Sequence, residues 1–317
     1  MMAEMQMREA YGRALVAYGE VNPDLVVLDA DTSASTLTNL FAQRYPERFL
    51  NLGIAEPCMV DVAVGLALGG KLPFATAFAA LLVLRAMEQI RTCVCYGQAN
   101  VKLAGSYAGL SDYKDGPTHH SITDIAMMRT LPHMTVVVPA DASAVTQAVR
   151  LVAEHDGPVY LRLSRDAAIP VHGPDLRMEI GQGITVREGD DLTIVACGTM
   201  VGRSLRAAEA LATQGIRARV IDMHTVKPLD KALLLQAAEE TGAIVTAEEH
   251  SILGGLGGAV AEALCEARPV VLERVGVADR FACTAFDAST LMDAHGLAIE
   301  DVVDAAQRCL ARKEARS

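Results

Sequence analysis

Asn51-Leu-Gly-Ile-Ala-Glu-Pro-Cys-Met-Val60 sets one carboxylate, Glu56, between an apolar strand end and a helix running through Met59, Val62, Ala63 and Leu66. Before it, Phe49-Leu-Asn-Leu-Gly53 reads as a strand, and after it Leu72-Pro-Phe-Ala-Thr76 reads as another. Strand, helix-length segment and strand make a crossover unit, and such units imply a mainly parallel sheet covered on both faces. Glu56 then opens its helix at the carboxyl edge of that sheet, where open α/β folds bind ligands. An ionised carboxylate buried there must be paired, hydrogen-bonded or neutralised.

The alternation extends both ways. Leu25-Val-Val-Leu28, Val101-Lys-Leu-Ala104, Thr135-Val-Val-Val138 and Val159-Tyr-Leu-Arg-Leu163 are strand candidates, with helical stretches near 5–19, 56–69, 80–97, 121–130 and 142–155. A break at Ala168-Ile-Pro-Val-His-Gly-Pro174, then Gly181-Gln-Gly183 and an expected hairpin around Glu188-Gly-Asp-Asp191, reads as a linker over 171–190. From Leu192 the pattern resumes through Ala218-Arg-Val-Ile221, Ala243-Ile-Val-Thr246 and Val270-Val-Leu272. The expected fold class is α/β, with two doubly wound domains over 1–170 and 191–317.

A chain of 317 residues, 51% hydrophobic and 21% charged, is long enough for two buried cores. The net charge of −11, with no basic run beyond Arg312-Lys313-Glu-Ala-Arg316, argues against a nucleic-acid surface and for small-molecule metabolism. Seven cysteines scattered through apolar segments do not form a disulfide framework and point to a reducing cytoplasm. Cys93 and Cys95 lack a second pair at zinc-ligand spacing, so no metal site is expected from them. Met1–Arg8 lacks the basic start and apolar run of a signal peptide, and no segment reaches the ~18 uninterrupted apolar residues of a membrane span.

Gly105-Ser-Tyr-Ala-Gly-Leu-Ser-Asp-Tyr-Lys-Asp-Gly-Pro-Thr-His-His120 is too long and too rich in glycine and polar residues for an ordinary connection, so a functional loop is expected. The Asn51–Glu56 stretch, Asp115-Gly-Pro-Thr-His-His120 and the run from Ser121 to Val-Val-Pro-Ala-Asp141 together resemble the transketolase family of thiamine-diphosphate enzymes. The resemblance implies a pyrimidine-binding domain followed by a transketolase C-terminal-like domain. It also implies that Glu56 shares a proton with N1′ of the aminopyrimidine and so activates the cofactor.

Further roles follow from the same resemblance. Phe78, in Phe74-Ala-Thr-Ala-Phe78, matches an aromatic residue that stacks on the pyrimidine, Leu81 stands where the family often has a second Phe, and Asp31 aligns with an aspartate near the thiazolium. His119 would hold the donor sugar's oxygens and assist proton transfer, and Asp115 would bond a substrate hydroxyl. Arg8, Ser35 and Arg165 match a sugar-phosphate cluster, a task for which the planar guanidinium fork is suited. Tyr107 replaces a substrate-loop histidine; it can donate a hydrogen bond but carries no positive charge near neutral pH.

In the second half, Asp222–Asp230 and Glu248-Glu-His-Ser-Ile-Leu-Gly-Gly-Leu-Gly-Gly258 resemble the family's carboxyl-terminal domain, with His250 expected at an interface. The glycines read as a tight turn into a helix over 256–266, because Val260 occupies the third small position of a dinucleotide fingerprint. A diphosphate and its divalent ion need hard oxygen ligands, which the family supplies through Gly-Asp-Gly and a downstream Asn. The nearest approach is Gly189-Asp190-Asp191, in a turn.

The resulting expectation is the C-terminal subunit of a split transketolase, moving a two-carbon ketol unit from a ketose, expected to be phosphorylated, to an aldose. An N-terminal subunit would bring the diphosphate site and Mg2+, and two of each chain would assemble around a homodimer core. The beta subunit of a 2-oxo-acid dehydrogenase has the same layout, although Gly-Pro-Thr-His-His120 and Leu-Ser-Arg165 favour the transketolase side. A non-catalytic binding or regulatory relative stays open because of Leu81 and Tyr107.

Overall fold

Strands β1 (Leu25–Asp29), β2 (Phe49–Asn51), β3 (Leu72–Phe78), β4 (Lys102–Ser106), β5 (Thr135–Val137) and β6 (Val159–Arg162) run parallel in one sheet of a computed structural model describing residues 5–315. Met1–Glu4, Arg316 and Ser317, and with them the chain start and the end of the basic tail, lie outside the described residues. β1 alternates faces in the period of two that strands impose. Val26 and Leu28 pack with Met59, Val60, Ala63, Leu82 and Val83, whereas Leu25 and Val27 pack with Tyr11, Leu15, Val145 and Val149. Helices Glu56–Leu68 and Ala79–Arg85 therefore cover one face, and helices Met7–Val21 and Ala142–Glu154 cover the other.

A second sheet contains β7 (Ile184–Arg187), β8 (Leu192–Ala196), β9 (Ala218–Asp222), β11 (Ala243–Ser251) and β12 (Val271–Val277), in the order β12-β11-β8-β9-β7. Between β9 and β11 the chain returns to the first sheet, where β10 (Thr225–Lys227) pairs antiparallel with β5 and closes that edge. The first sheet then reads β10-β5-β6-β4-β3-β1-β2. Among the described residues no helix is long and apolar enough to cross a membrane.

The hairpin expected at Glu188–Asp191 does not form: β7 and β8 lie on opposite sides of β9, which β7 pairs antiparallel and β8 pairs parallel. The Arg217 end of β9 captures the turn, since Asp191 N–H donates to Arg217 O and its carboxylate accepts from Arg217 N–H. β7 also falls inside the 171–190 interval. The helix expected over 80–97 is broken, because Ala86, at φ −104° and ψ 17°, leaves helical geometry between Ala79–Arg85 and Met87–Gln89, after which Ile90–Tyr96 winds as a π-helix.

The glycine cluster before helix Leu256–Ala267 wraps an internal anion. Glu248, 1% exposed, accepts from the backbone N–H of Leu256 at 2.7 Å and of Gly257 at 2.8 Å. A Cβ at Gly255 would lie 2.0 Å from the Glu248 carboxylate, so this helix start is occupied by protein and has no room for a phosphate.

Candidate active site

β1, β2, β3, β4 and β6 are contiguous in the first sheet, and the segments leaving their carboxyl ends carry all the candidate residues except Arg8. Glu56 is the first residue of its helix and is 1% exposed. Such a position favours an anion electrostatically, but burial demands a direct partner. Arg85 provides it: Nη1 donates to Glu56 Oε1 at 2.9 Å, while the arginine side chain stays 46% exposed. One flank of the pair is therefore open to solvent.

Six other candidates converge. Arg8 Nη1 donates to the backbone carbonyl of Ser35 at 3.0 Å and to the Tyr107 hydroxyl at 2.8 Å, and Nε donates to Gln6 at 2.9 Å. Tyr107 Oη in turn donates to Ser35 O at 3.3 Å. Ser35 thus takes part through its carbonyl. The Arg165 guanidinium carbon sits 5.3 Å from the Tyr107 ring centre and 5.2 Å from that of Tyr113, and its buried Nε has no hydrogen-bond partner among the described residues. Backbone bonds from Met7 and Arg8 N–H to Asp166 and Arg165 carbonyls hold the two arginines together.

Phe78 lies in the middle, half-buried, stacked on Tyr107 at 4.4 Å between ring centres and met edge-on by His119 at 6.2 Å. One ring face is therefore taken by protein. Tyr107 holds φ +57°, a left-handed conformation disfavoured for a residue with a Cβ, at the end of β4. His119 Nδ1 lies 3.0 Å from Thr118 Oγ1.

Asp115 is exposed, beside buried Asp112. Burial and the neighbouring Asp115 carboxylate push Asp112 up to about 6. Burial also lowers the adjacent His120, which is held through Nε2 on Asp112 O at 3.1 Å. Asp31 is exposed at φ +64° and bonds Asn51, with Asn51 Oδ1 accepting from Asp31 N–H at 3.1 Å. The Asp31 carboxylate also accepts from Asn51 Nδ2 at 3.3 Å, and Leu81 is half-buried in helix Ala79–Arg85.

Sequence reasoning missed Arg85, Asp112 and a buried group behind the loop. Arg162 forks onto Asp124 at 2.7 and 3.3 Å, and Tyr160 donates to the same carboxylate at 2.7 Å. Burial alone would raise Asp124, but the Arg162 charge and the hydrogen bonds from Arg162 and Tyr160 hold it below its ordinary value. His250, fully buried, accepts from Ala126 N–H at 3.3 Å and so joins the second sheet to helix Asp124–Thr130. A lone arginine in the apolar Leu82-Val-Leu-Arg85 run was the available signal for a buried partner.

Residues 3–169 match the family model described as transketolase, pyrimidine binding domain, and residues 181–302 match transketolase, C-terminal domain. The chain is 41% identical over 315 residues to the 6-deoxy-6-sulfo-D-fructose transketolase subunit SqwH of Clostridium sp. (strain MSTE9), covering 99% of this chain and 98% of that one. It is 38% identical over 273 residues to one of the subunits of apulose-4-phosphate transketolase from Phocaeicola vulgatus, covering 86% and 87% of the two chains. A solved structure described as a split gene transketolase, inactive beta4 tetramer, superposes with a TM-score of 0.91 at 49% identity, covering 98% of this chain and 99% of that one. With two family models spanning most of its length and relatives of matching extent, the chain belongs to the transketolase family.

Proposed function

We propose that this chain is the C-terminal subunit of a split transketolase, which moves a two-carbon ketol unit from an anionic ketose to an aldose when joined to a diphosphate-binding partner. The observation that carries this reading is Glu56, buried at a helix start and paired to a half-exposed Arg85 on the sheet edge that also holds the Arg8–Tyr107–Arg165 cluster. Relatives whose names specify a subunit, covering nearly the same length, support the split.

Thiamine diphosphate, when bound, supplies the nucleophilic carbon that takes the ketol unit from the donor. The residues present suit its pyrimidine end. Glu56 is shielded enough to hold or release a proton at N1′, and the half-buried Phe78 has only one ring face stacked by Tyr107. We assign the diphosphate and Mg2+ to the partner, because the chain lacks Gly-Asp-Gly with a downstream Asn and among the described residues no group of three or more His, Cys, Asp or Glu is arranged to hold a metal ion.

Arg8 and Arg165 flank Tyr107 and suit a terminal anion, which the relatives' names give as a sulfonate or a phosphate. His119 and Asp115, on the same loop, would hold sugar hydroxyls, and Asp31 would border the cofactor. A division over 171–190 separates the pyrimidine-binding half from the C-terminal half. Exposed Leu68, Leu84 and Tyr96, with Ile54 just before the Glu56 helix, leave the apolar helices of the first sheet partly uncovered, which favours a homodimer core with two of each chain. All seven cysteines are free, as a reducing cytoplasm requires.

The test is reconstitution. Ketose phosphates, ketose sulfonates, pyruvate and branched 2-oxo acids are offered to this chain, to its diphosphate-binding partner and to the mixture, each with thiamine diphosphate and Mg2+. Ketol transfer from an anionic ketose in the mixture alone is expected. Turnover of 2-oxo acids in place of ketoses, or full activity of this chain alone, would overturn the reading.

A further inference from the structure

The loop bearing Tyr107, Asp115 and His119 is bonded near its start by the side chain of one residue of the second sheet, whose backbone carbonyl shares Arg162 with the loop's far end. Glu249 lies on β11 and is 3% exposed. Its Oε1 accepts from the backbone N–H of Leu110 at 2.6 Å, and its Oε2 accepts from the Thr199 hydroxyl at 2.7 Å. Its backbone carbonyl accepts from Arg162 Nη2 at 2.9 Å, and the same nitrogen donates to Ser121 O at 3.0 Å. Leu110 lies three residues into the loop and Ser121 ends it. Gly109 and Ser121 close the base by exchanging backbone bonds of 2.9 and 3.0 Å.

A buried carboxylate costs solvation free energy, and an apolar side chain would seal the same space without that cost. What the carboxylate supplies is an acceptor for the Leu110 N–H, which has no other hydrogen-bond partner among the described residues. The close approach also needs glycine: a Cβ at Gly109, where φ is +66°, would lie 2.4 Å from Glu249 Oε1. Three features, the left-handed glycine, the Leu110 amide and the buried carboxylate it bonds, converge on one latch.

We infer that Glu249 is a positioning residue: it latches the 107–121 loop to the C-terminal half and so sets where His119, Asp115 and Tyr107 meet the sugar. The assignment of that loop to substrate rests on the functional reading above; the latch does not. The C-terminal half thereby acts on the site without touching the reacting atoms.

The experiment compares wild type, Glu249→Ala and Glu249→Gln by amide hydrogen exchange on the full chain, and by ketose KM and kcat in the reconstituted complex. In Glu249→Ala, exchange is expected to accelerate about tenfold or more within 107–121, the effect of losing a charge-assisted bond. The rest of the first sheet should be unchanged, and ketose KM should rise by a similar factor with kcat less affected. Glu249→Gln should largely restore both, since its amide oxygen still accepts from Leu110 and its NH2 can donate to the Thr199 hydroxyl. Unchanged exchange at 107–121 in Glu249→Ala would overturn the latch. Acceleration spread over both sheets without rescue by Gln would overturn it equally, by reducing Glu249 to a general stability element. A wild-type complex that transfers no ketol unit would sink the functional reading alone, because the exchange comparison needs no turnover.

Discussion

Replacing Tyr107 by Phe removes one oxygen from the densest contact of the cluster and keeps the ring. The hydroxyl accepts from Arg8 Nη1 at 2.8 Å and donates to Ser35 O at 3.3 Å, while the ring stacks on Phe78 at 4.4 Å and 29°. Of the five N–H groups of Arg8, the one on Nε goes to Gln6 and those on Nη1 go to Ser35 and Tyr107. The Nη2 pair has no partner among the described residues, so it is the part of the fork available to a ligand anion. Without the hydroxyl, the fork loses a charge-assisted bond of about 1.5–3 kcal/mol, but Ser35 O still orients it. The low end applies, about tenfold in affinity. Steady-state kinetics of the reconstituted complex should show KM for a phosphorylated or sulfonated ketose rising about tenfold, with KM for the uncharged ketose unchanged. Equal losses for charged and uncharged donors, or none for either, would refute the anion-binding role of the Arg8–Tyr107 pair.

Gly109→Ala should cost about 1–3 kcal/mol in urea unfolding, because φ is +66° and the new Cβ would lie 2.4 Å from Glu249 Oε1; an unchanged midpoint and slope would contradict the packing. Lys102 is fully buried, donating to Asn100, His155 O and Gly157 O at 2.5, 2.6 and 2.8 Å, and burial lowers its ammonium from 10.5 to about 7. Between those values the unfolded chain binds a proton that the folded chain does not, so this group makes stability rise with pH by up to about 1.4 kcal/mol per unit. Lys102→Gln should flatten the stability-versus-pH slope between about 7 and 10, and identical slopes would count against the lowered ammonium.

The parallel sheets were legible because strands buried on both faces must be apolar runs, and Leu25–Asp29 is buried at every residue. The placement of Glu56 was legible too, since a strand end followed at once by a helix leaves the intervening residue on the carboxyl edge. What was not legible depends on distant pairing. The turn chemistry of Gly189-Asp-Asp191 suits a hairpin, but β7 was claimed by β9, and three-residue β10 gave no strand signal before it reached β5. Arg85 and Glu56 are 29 residues apart, and Glu249 and Leu110 are 139 apart, so even where the lone Arg85 signals a buried partner no local pattern says which residue it meets. The break at Ala86 was invisible because alanine is the best of helix formers.

The C2 proton of thiamine diphosphate reports the acid at position 56 without requiring a sugar. Its exchange with deuterium, followed by NMR in the reconstituted complex with cofactor bound, should slow about a hundredfold or more in Glu56→Gln relative to wild type. Equal exchange rates in the two complexes, both fully loaded with cofactor, would contradict the role of Glu56 on which the proposed function depends.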